Sequence, residues 1–79
     1  DQTEIRVYPN PASSKLYVSG QDIKRIRIMS TIGQMLLNIS VNNINPVQID
    51  LSAFKNGMYA LEIETETDRE LRFFMVNKP

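Results

Sequence analysis

An all-β fold, with antiparallel sheets packed as a sandwich of about seven short strands, is what this sequence predicts. Three observations carry the prediction. Apolar residues recur with period two, the signature of strands buried on one face. Clusters of Pro, Gly, Asn, Ser and Asp interrupt that rhythm at residues 9–14, 20–22, 30–33, 42–46, 55–57 and 66–68. No stretch has the length and period of a crossover helix, so parallel βαβ units are not expected.

Taken in order, the first strand runs from Ile5 to Tyr8. The second, Lys15 to Ser19, puts Leu16 and Val18 on one face. The third, Lys24 to Met29, sets Ile26 and Ile28 against Arg25 and Arg27. Gln34 to Val41 and Val47 to Asp50 supply the fourth and fifth. The sixth, Met58 to Thr65, alternates Tyr59, Leu61 and Ile63 with Ala60, Glu62 and Glu64, and Arg69 to Asn77 forms the last. Residues 51–57, Leu-Ser-Ala-Phe-Lys-Asn-Gly, read as a single helical or 3₁₀ turn capped by Ser52 and ended by Gly57. Strand order stays open, because hairpin and Greek-key connections can use the same lengths.

Pro9 and Pro11 stand either side of Asn10 where the first strand ends. Each proline removes a backbone donor and drives the residue before it into extended geometry, so Tyr8 and Asn10 continue the strand direction. Amides two residues apart point to the same lateral side, so the prolines strip successive donors from one edge. The motif therefore stops pairing and guards an edge strand, while Ala12, Ser13 and Ser14 supply the reversal into the next strand.

The chain has 79 residues, enough for one core, so residues 1–79 are expected to form a single domain with residues 1–4 as a linker remnant. Without cysteine there is neither a disulfide framework nor a thiolate metal site, and packing must supply the stability. Nine basic residues balance nine acidic ones, so no bulk field draws the chain to nucleic acid or to an anionic membrane. Lys24, Arg25 and Arg27 lack interleaved aromatics and make a poor nucleic-acid surface; if their strand neighbours the one bearing Glu62, Glu64 and Glu66, cross-strand ion pairs are their use. No run reaches the roughly 20 apolar residues of a membrane span. The first residues lack the basic and apolar regions of a signal peptide, so an export signal, if there is one, is expected upstream.

Catalysis finds few candidates. With no histidine and no cysteine, the usual general base and thiol nucleophile are missing. Glu62 and Glu64 share a strand face but have no closed loop of oxygen ligands beside them, and the three glycines are too scattered to cradle a phosphate. No catalytic residue, metal ligand or cofactor site is therefore assigned.

Val7 to Pro11, "VYPNP", followed by "LYV", "IRIMSTIGQML", "IDLSAFKNGMYALEIET" and "RFFMVNK", resembles in order and spacing the type A C-terminal sorting domain of the type IX secretion system, over Ile5 to Lys78. Tyr8, Pro9, Asn10 and Pro11 look like the family's proline motif, Gly33 like the glycine after its central strand, and Gly57 with Tyr59 like its Gly-x-Tyr element. Arg72 to Val76 and Lys78 resemble its basic and apolar ending. Ser30 stands where an aspartate is common and Arg72 where a lysine is common. The resemblance implies an immunoglobulin-like sandwich and a non-enzymatic signal at the end of a larger secreted protein. It also implies outer-membrane secretion components and a sortase-like peptidase as partners, passage through the periplasm, and a cargo that ends secreted or at the cell surface. A monomer is expected.

On the last strand, Leu71, Phe73 and Met75 share one face and Arg72, Phe74 and Val76 the other. Flanked by Arg72 and Lys78, Phe74 and Val76 are read as outward groups needing a cover, and these four are the candidates for docking to the machinery. Phe74→Asp, or loss of residues 76–79, is accordingly expected to block export from a folded domain. Gly57 is expected to supply positive φ before Tyr59, which fills the core with its hydroxyl at a polar rim. The alternatives are a small carbohydrate-binding or adhesion sandwich appended to a secreted enzyme, and a fibronectin-like spacer. A sugar binder would present a planar aromatic patch, which Tyr8, Tyr17 and Tyr59 do not evidently form.

Overall fold

The structure, a computed structural model, describes residues 4–79. Among the described residues there are seven strands and no helix: β1 (Arg6–Tyr8), β2 (Lys15–Ser19), β3 (Ile23–Ser30), β4 (Met35–Ser40), β5 (Val47–Asp50), β6 (Gly57–Thr65) and β7 (Arg69–Val76). The predicted strands are all present, with ends that agree or differ by one residue. Of the expected linker remnant, residues 1–3 lie outside the described residues, and Glu4 is exposed ahead of β1.

The strands form a three-stranded sheet, β1-β2-β5, and a four-stranded sheet, β4-β3-β6-β7, antiparallel throughout. The non-consecutive neighbours β2·β5 and β3·β6 are the crossovers of an immunoglobulin-like sandwich, with the fourth strand beside the third rather than on the opposite sheet.

Period two places the core. Leu16, Val18 and Ile49 from one sheet meet Ile26, Ile28, Leu61, Ile63, Phe74 and Val76 from the other, and Ile5, Ala12, Val41 and Leu51 close the margins. Each fully buried large side chain contributes about 1.5–3 kcal/mol relative to exposure. No polar or charged side chain is buried among the described residues. The core therefore carries no desolvation cost beyond its backbone.

Residues 51–57 correct the sequence reading. No helical turn forms. The Phe54 N–H donates to the Leu51 carbonyl (2.9 Å) in one β-turn, and the Ser52 N–H donates to the Asp50 carboxylate (2.9 Å). Asp50 thus takes the side-chain acceptor role expected of Ser52, as short carboxylates do in Asx turns. Gly57 opens β6 instead of ending a helix.

Candidate docking surface

The proline motif joins the two sheets. Tyr8 is the last residue of β1, an edge strand, and Pro9 follows it. Beyond the prolines the chain does more than reverse direction. The Ala12 N–H donates to the Met75 carbonyl (2.8 Å), the Asn77 N–H donates to the Ala12 carbonyl (2.8 Å), and Ala12 forms a parallel bridge with Val76. The Met75 N–H donates to Asn10 Oδ1 (3.1 Å). One segment thus pairs first with the three-stranded sheet and then with the outer edge of β7. Asn10 spends its side chain on that edge, a use its sequence position does not announce.

The Gly-x-Tyr element stands beside this junction. Gly57 has φ +151°, and an added Cβ would meet no atom within 4 Å, so its requirement is conformational and not steric. Tyr59 is buried between Phe54 (edge to face, 5.3 Å) and Phe74 (stacked, 5.7 Å), and its hydroxyl donates to the Lys55 carbonyl (2.6 Å). Gly33, with φ +87°, sits in the β3–β4 turn, where its N–H donates to the Ser30 carbonyl (2.9 Å). Ser30 Oγ accepts from the Gln34 N–H (3.1 Å), so the serine supplies a side-chain hydrogen bond to the loop.

The last strand reverses the expected facing. Phe74 is 0 % exposed and Val76 1 %, both in the core, so neither is available as an outward docking group. Leu71 and Phe73, 56 % and 57 % exposed, and Met75 lie outward instead. The cause is the β6–β7 register. Phe74 pairs with the core residue Tyr59, while Phe73 pairs with Ala60 and Met75 with Met58 on the outer face. Arg72 shares the inward side of Phe74, but at the margin, where it bonds the Ile5 carbonyl (3.1 Å) and pairs with Glu70. Lys78 is half-buried; its N–H donates to Asn56 Oδ1 (2.7 Å) and its Nζ to the Ser52 carbonyl (3.1 Å).

The outer face of the four-stranded sheet is divided by chemistry. At one end Met29 pairs with Met35 and with Ala60, Ala60 with Phe73, and Met58 with Met75, so all four methionines of the chain fall at one end of the sheet, which they share with Phe73. Met35, Met58, Met75 and Phe73 are exposed. Flanking this patch, Arg27 reaches Glu62 (2.9 Å) and Glu64 (3.3 Å), and farther along Lys24 reaches Glu66 (3.2 Å). The expected cross-strand ion pairs are present. Flexible thioethers beside one ring make an adaptable apolar surface of a kind common at recognition sites.

A second feature is not legible in the sequence. Tyr8 lies opposite Tyr17 on the outer face of the three-stranded sheet, and the rings stack at 5.5 Å with 20° between planes. Only strand register brings them together, and register is not written in either residue. Their ring faces turn toward each other and not outward as a flat platform.

Among the described residues no group of His, Cys, Asp and Glu could hold a metal ion. An immunoglobulin-like sandwich with an exposed apolar sheet end defines a class of small β-sandwich domains, a fold that hosts many functions. Comparison with known proteins gives the particular member of that class. The chain belongs to the C-terminal sorting domains of the type IX secretion system: the family model described as a secretion system C-terminal sorting domain matches residues 6–77. It is also similar to beta-agarase D of Zobellia galactanivorans, 30 % identical over 69 residues, covering 87 % of this chain and 14 % of that protein.

Proposed function

We propose that residues 1–79 act as one non-enzymatic unit that directs an upstream cargo across the outer membrane, with residues 1–4 as the remnant of the linker. Outer-membrane components read the folded domain, after which a sortase-like peptidase removes it from a cargo that has passed through the periplasm. The single observation that carries this reading is that the family match spans residues 6–77 and so includes both halves of the Ala12–Val76 junction, from the proline motif to the end of β7. With Phe74 and Val76 in the core, the surface offered for reading is the methionine-rich sheet end that includes Phe73, with Arg72 on the other side of β7 and Lys78 just beyond its end.

The test is a periplasm-targeted reporter fused upstream of Asp1, followed to the cell surface in hosts with and without the secretion system. Surface delivery that depends on the system is expected, and delivery should fall at least tenfold for Phe73→Asp in a domain that keeps its circular dichroism. A folded fusion retained in the periplasm of the competent host would end the proposal.

The Tyr8–Tyr17 stack favours one second reading, a carbohydrate-binding module, and the similarity to an agarase gives it a polysaccharide to try. Stacked rings that face each other leave little flat surface for a sugar ring. Agarose retention of the isolated chain, lost in Tyr8→Ala, would support that reading over sorting.

A further inference from the structure

We infer that the free edge of β7 is a self-pairing surface, through which two copies of this chain form a two-fold antiparallel dimer centred on Leu71. This goes beyond sorting and does not depend on it.

β7 is an edge strand of the four-stranded sheet. Its last part is already occupied, since Met75 and Asn77 direct their backbone groups outward to Asn10 and Ala12. The β6–β7 register runs without a bulge from Gly57↔Val76 to Glu64↔Arg69. Backbone direction alternates with period two, so Arg69, Leu71 and Phe73 direct their N–H and carbonyl groups to that same outer side. Ala12 is the one residue bridged to this side among the described residues, and it lies beyond Phe73. Three residues' worth of ladder thus stands open beneath two exposed apolar side chains, Leu71 and Phe73.

Such an edge is a template for another strand, and opposite charges set directly across a strand pair favour one register over another. Glu70 and Arg72 lie between the open positions on the inward side. A two-fold axis at Leu71 sets Glu70 of each copy opposite Arg72 of the other. It sets Leu71 against Leu71, and Arg69 against Phe73, where a guanidinium can lie on the ring face. The neighbouring registers fail. A shift that pairs Arg69 with Leu71 brings Glu70 against Glu70, and one that pairs Leu71 with Phe73 brings Arg72 against Arg72. Registers of odd offset turn one strand's open backbone groups away from its partner. The order Arg-Glu-Leu-Arg-Phe is therefore complementary to itself in one register, and this charge complementarity selects a second copy as the occupant.

The chain has no cysteine, which makes the axis directly testable. A hydrogen-bonded antiparallel pair has Cα atoms about 5.5 Å apart, inside the roughly 4.4–6.8 Å range of a disulfide. Under mild oxidation Leu71→Cys should form a disulfide dimer at least tenfold faster than Met35→Cys, an exposed site on the opposite edge strand. In sedimentation of the cysteine-free chain, Glu70→Arg should weaken self-association about tenfold, and Glu70→Arg with Arg72→Glu should restore it to within about threefold, because the swapped pair is again self-complementary. Circular dichroism checks that each variant is folded. Equal cross-linking at residues 71 and 35, a monomer at every concentration up to about 1 mM, or a dimer indifferent to the charge reversal would overturn the inference.

Discussion

Phe73 and Phe74 are adjacent on one strand and chemically identical, so truncating each isolates what facing is worth. Phe74 is fully buried and stacks on Tyr59 at 5.7 Å, whereas Phe73 is 57 % exposed. Phe74→Ala removes a buried ring and leaves a cavity, which costs about 3–5 kcal/mol. A domain of this length has roughly 4–12 kcal/mol in total, at about 0.05–0.15 kcal/mol per residue. Phe74→Ala should therefore remove between about a quarter and all of that stability. Phe74→Leu keeps most of the volume and should lose about 1–2 kcal/mol, which keeps the fold measurable. Phe73→Ala should lose less than about 1 kcal/mol, since most of its surface is already in water. Urea unfolding followed by far-UV circular dichroism gives all three values. If Phe73→Ala costs as much as Phe74→Leu, the β6–β7 register is wrong by one residue and the assignment of the outer face falls with it.

Gly57→Ala should cost about 1–3 kcal/mol in the same assay, because φ is +151° while the new methyl meets nothing within 4 Å; a loss below about 0.5 kcal/mol would contradict that backbone conformation. Arg27, with its side chain 22 % exposed, bridges Glu62 and Glu64, and a double-mutant cycle on Arg27 and Glu62 should give a coupling of about 0.5–1 kcal/mol that shrinks in molar salt. The Asp50 carboxyl is held below its ordinary value of 3.8 by the Ser52 N–H, then by the Ser52 hydroxyl, with Lys15 and Lys78 adding attraction. A lowered folded-state value contributes stability that is present above the unfolded value and is lost as pH falls through the folded one. Asp50→Asn should therefore flatten the decline of stability below about pH 4, and parallel acid limbs in mutant and parent would rule the contribution out.

Alternation is legible wherever one face of a strand is apolar and the other charged. Arg25 and Arg27 against Ile26 and Ile28, and Glu62 and Glu64 against Leu61 and Ile63, mark the core side through residue chemistry alone. In β7 both faces are apolar toward the end, and Leu71-Phe73-Met75 is as good a core face as Phe74-Val76. Arg72 points to the wrong choice because it shares the side of Phe74. It escapes burial by lying at the margin, where the guanidinium finds Glu70 and the Ile5 carbonyl. Only pairing with Tyr59 settles the matter, and Tyr59 itself is placed correctly by its alternation with Leu61 and Ile63. The methionine patch and the Tyr8–Tyr17 stack stay hidden for a related reason: each is assembled across strands, and cross-strand register is a property of the whole sheet.

The same register changes what a tail truncation can show. Removing residues 76–79 reads from sequence as the clipping of a docking end, but Val76 is 1 % exposed in the core, and Asn77 and Lys78 hold Ala12, Asn56 and Ser52. The deletion takes away a buried side chain and the hydrogen bond from the Asn77 N–H to the Ala12 carbonyl, and with it one side of the bridge that anchors the proline motif to the second sheet. A truncated domain that fails to export should therefore also show lost stability, by about 2–4 kcal/mol from the valine alone. Export lost in that way reports on folding. The proline motif near the start and the strand at the end are one structural unit, and a recognition event at the tail can be separated from the fold only by changes confined to the outer face, of which Phe73 is the clearest position.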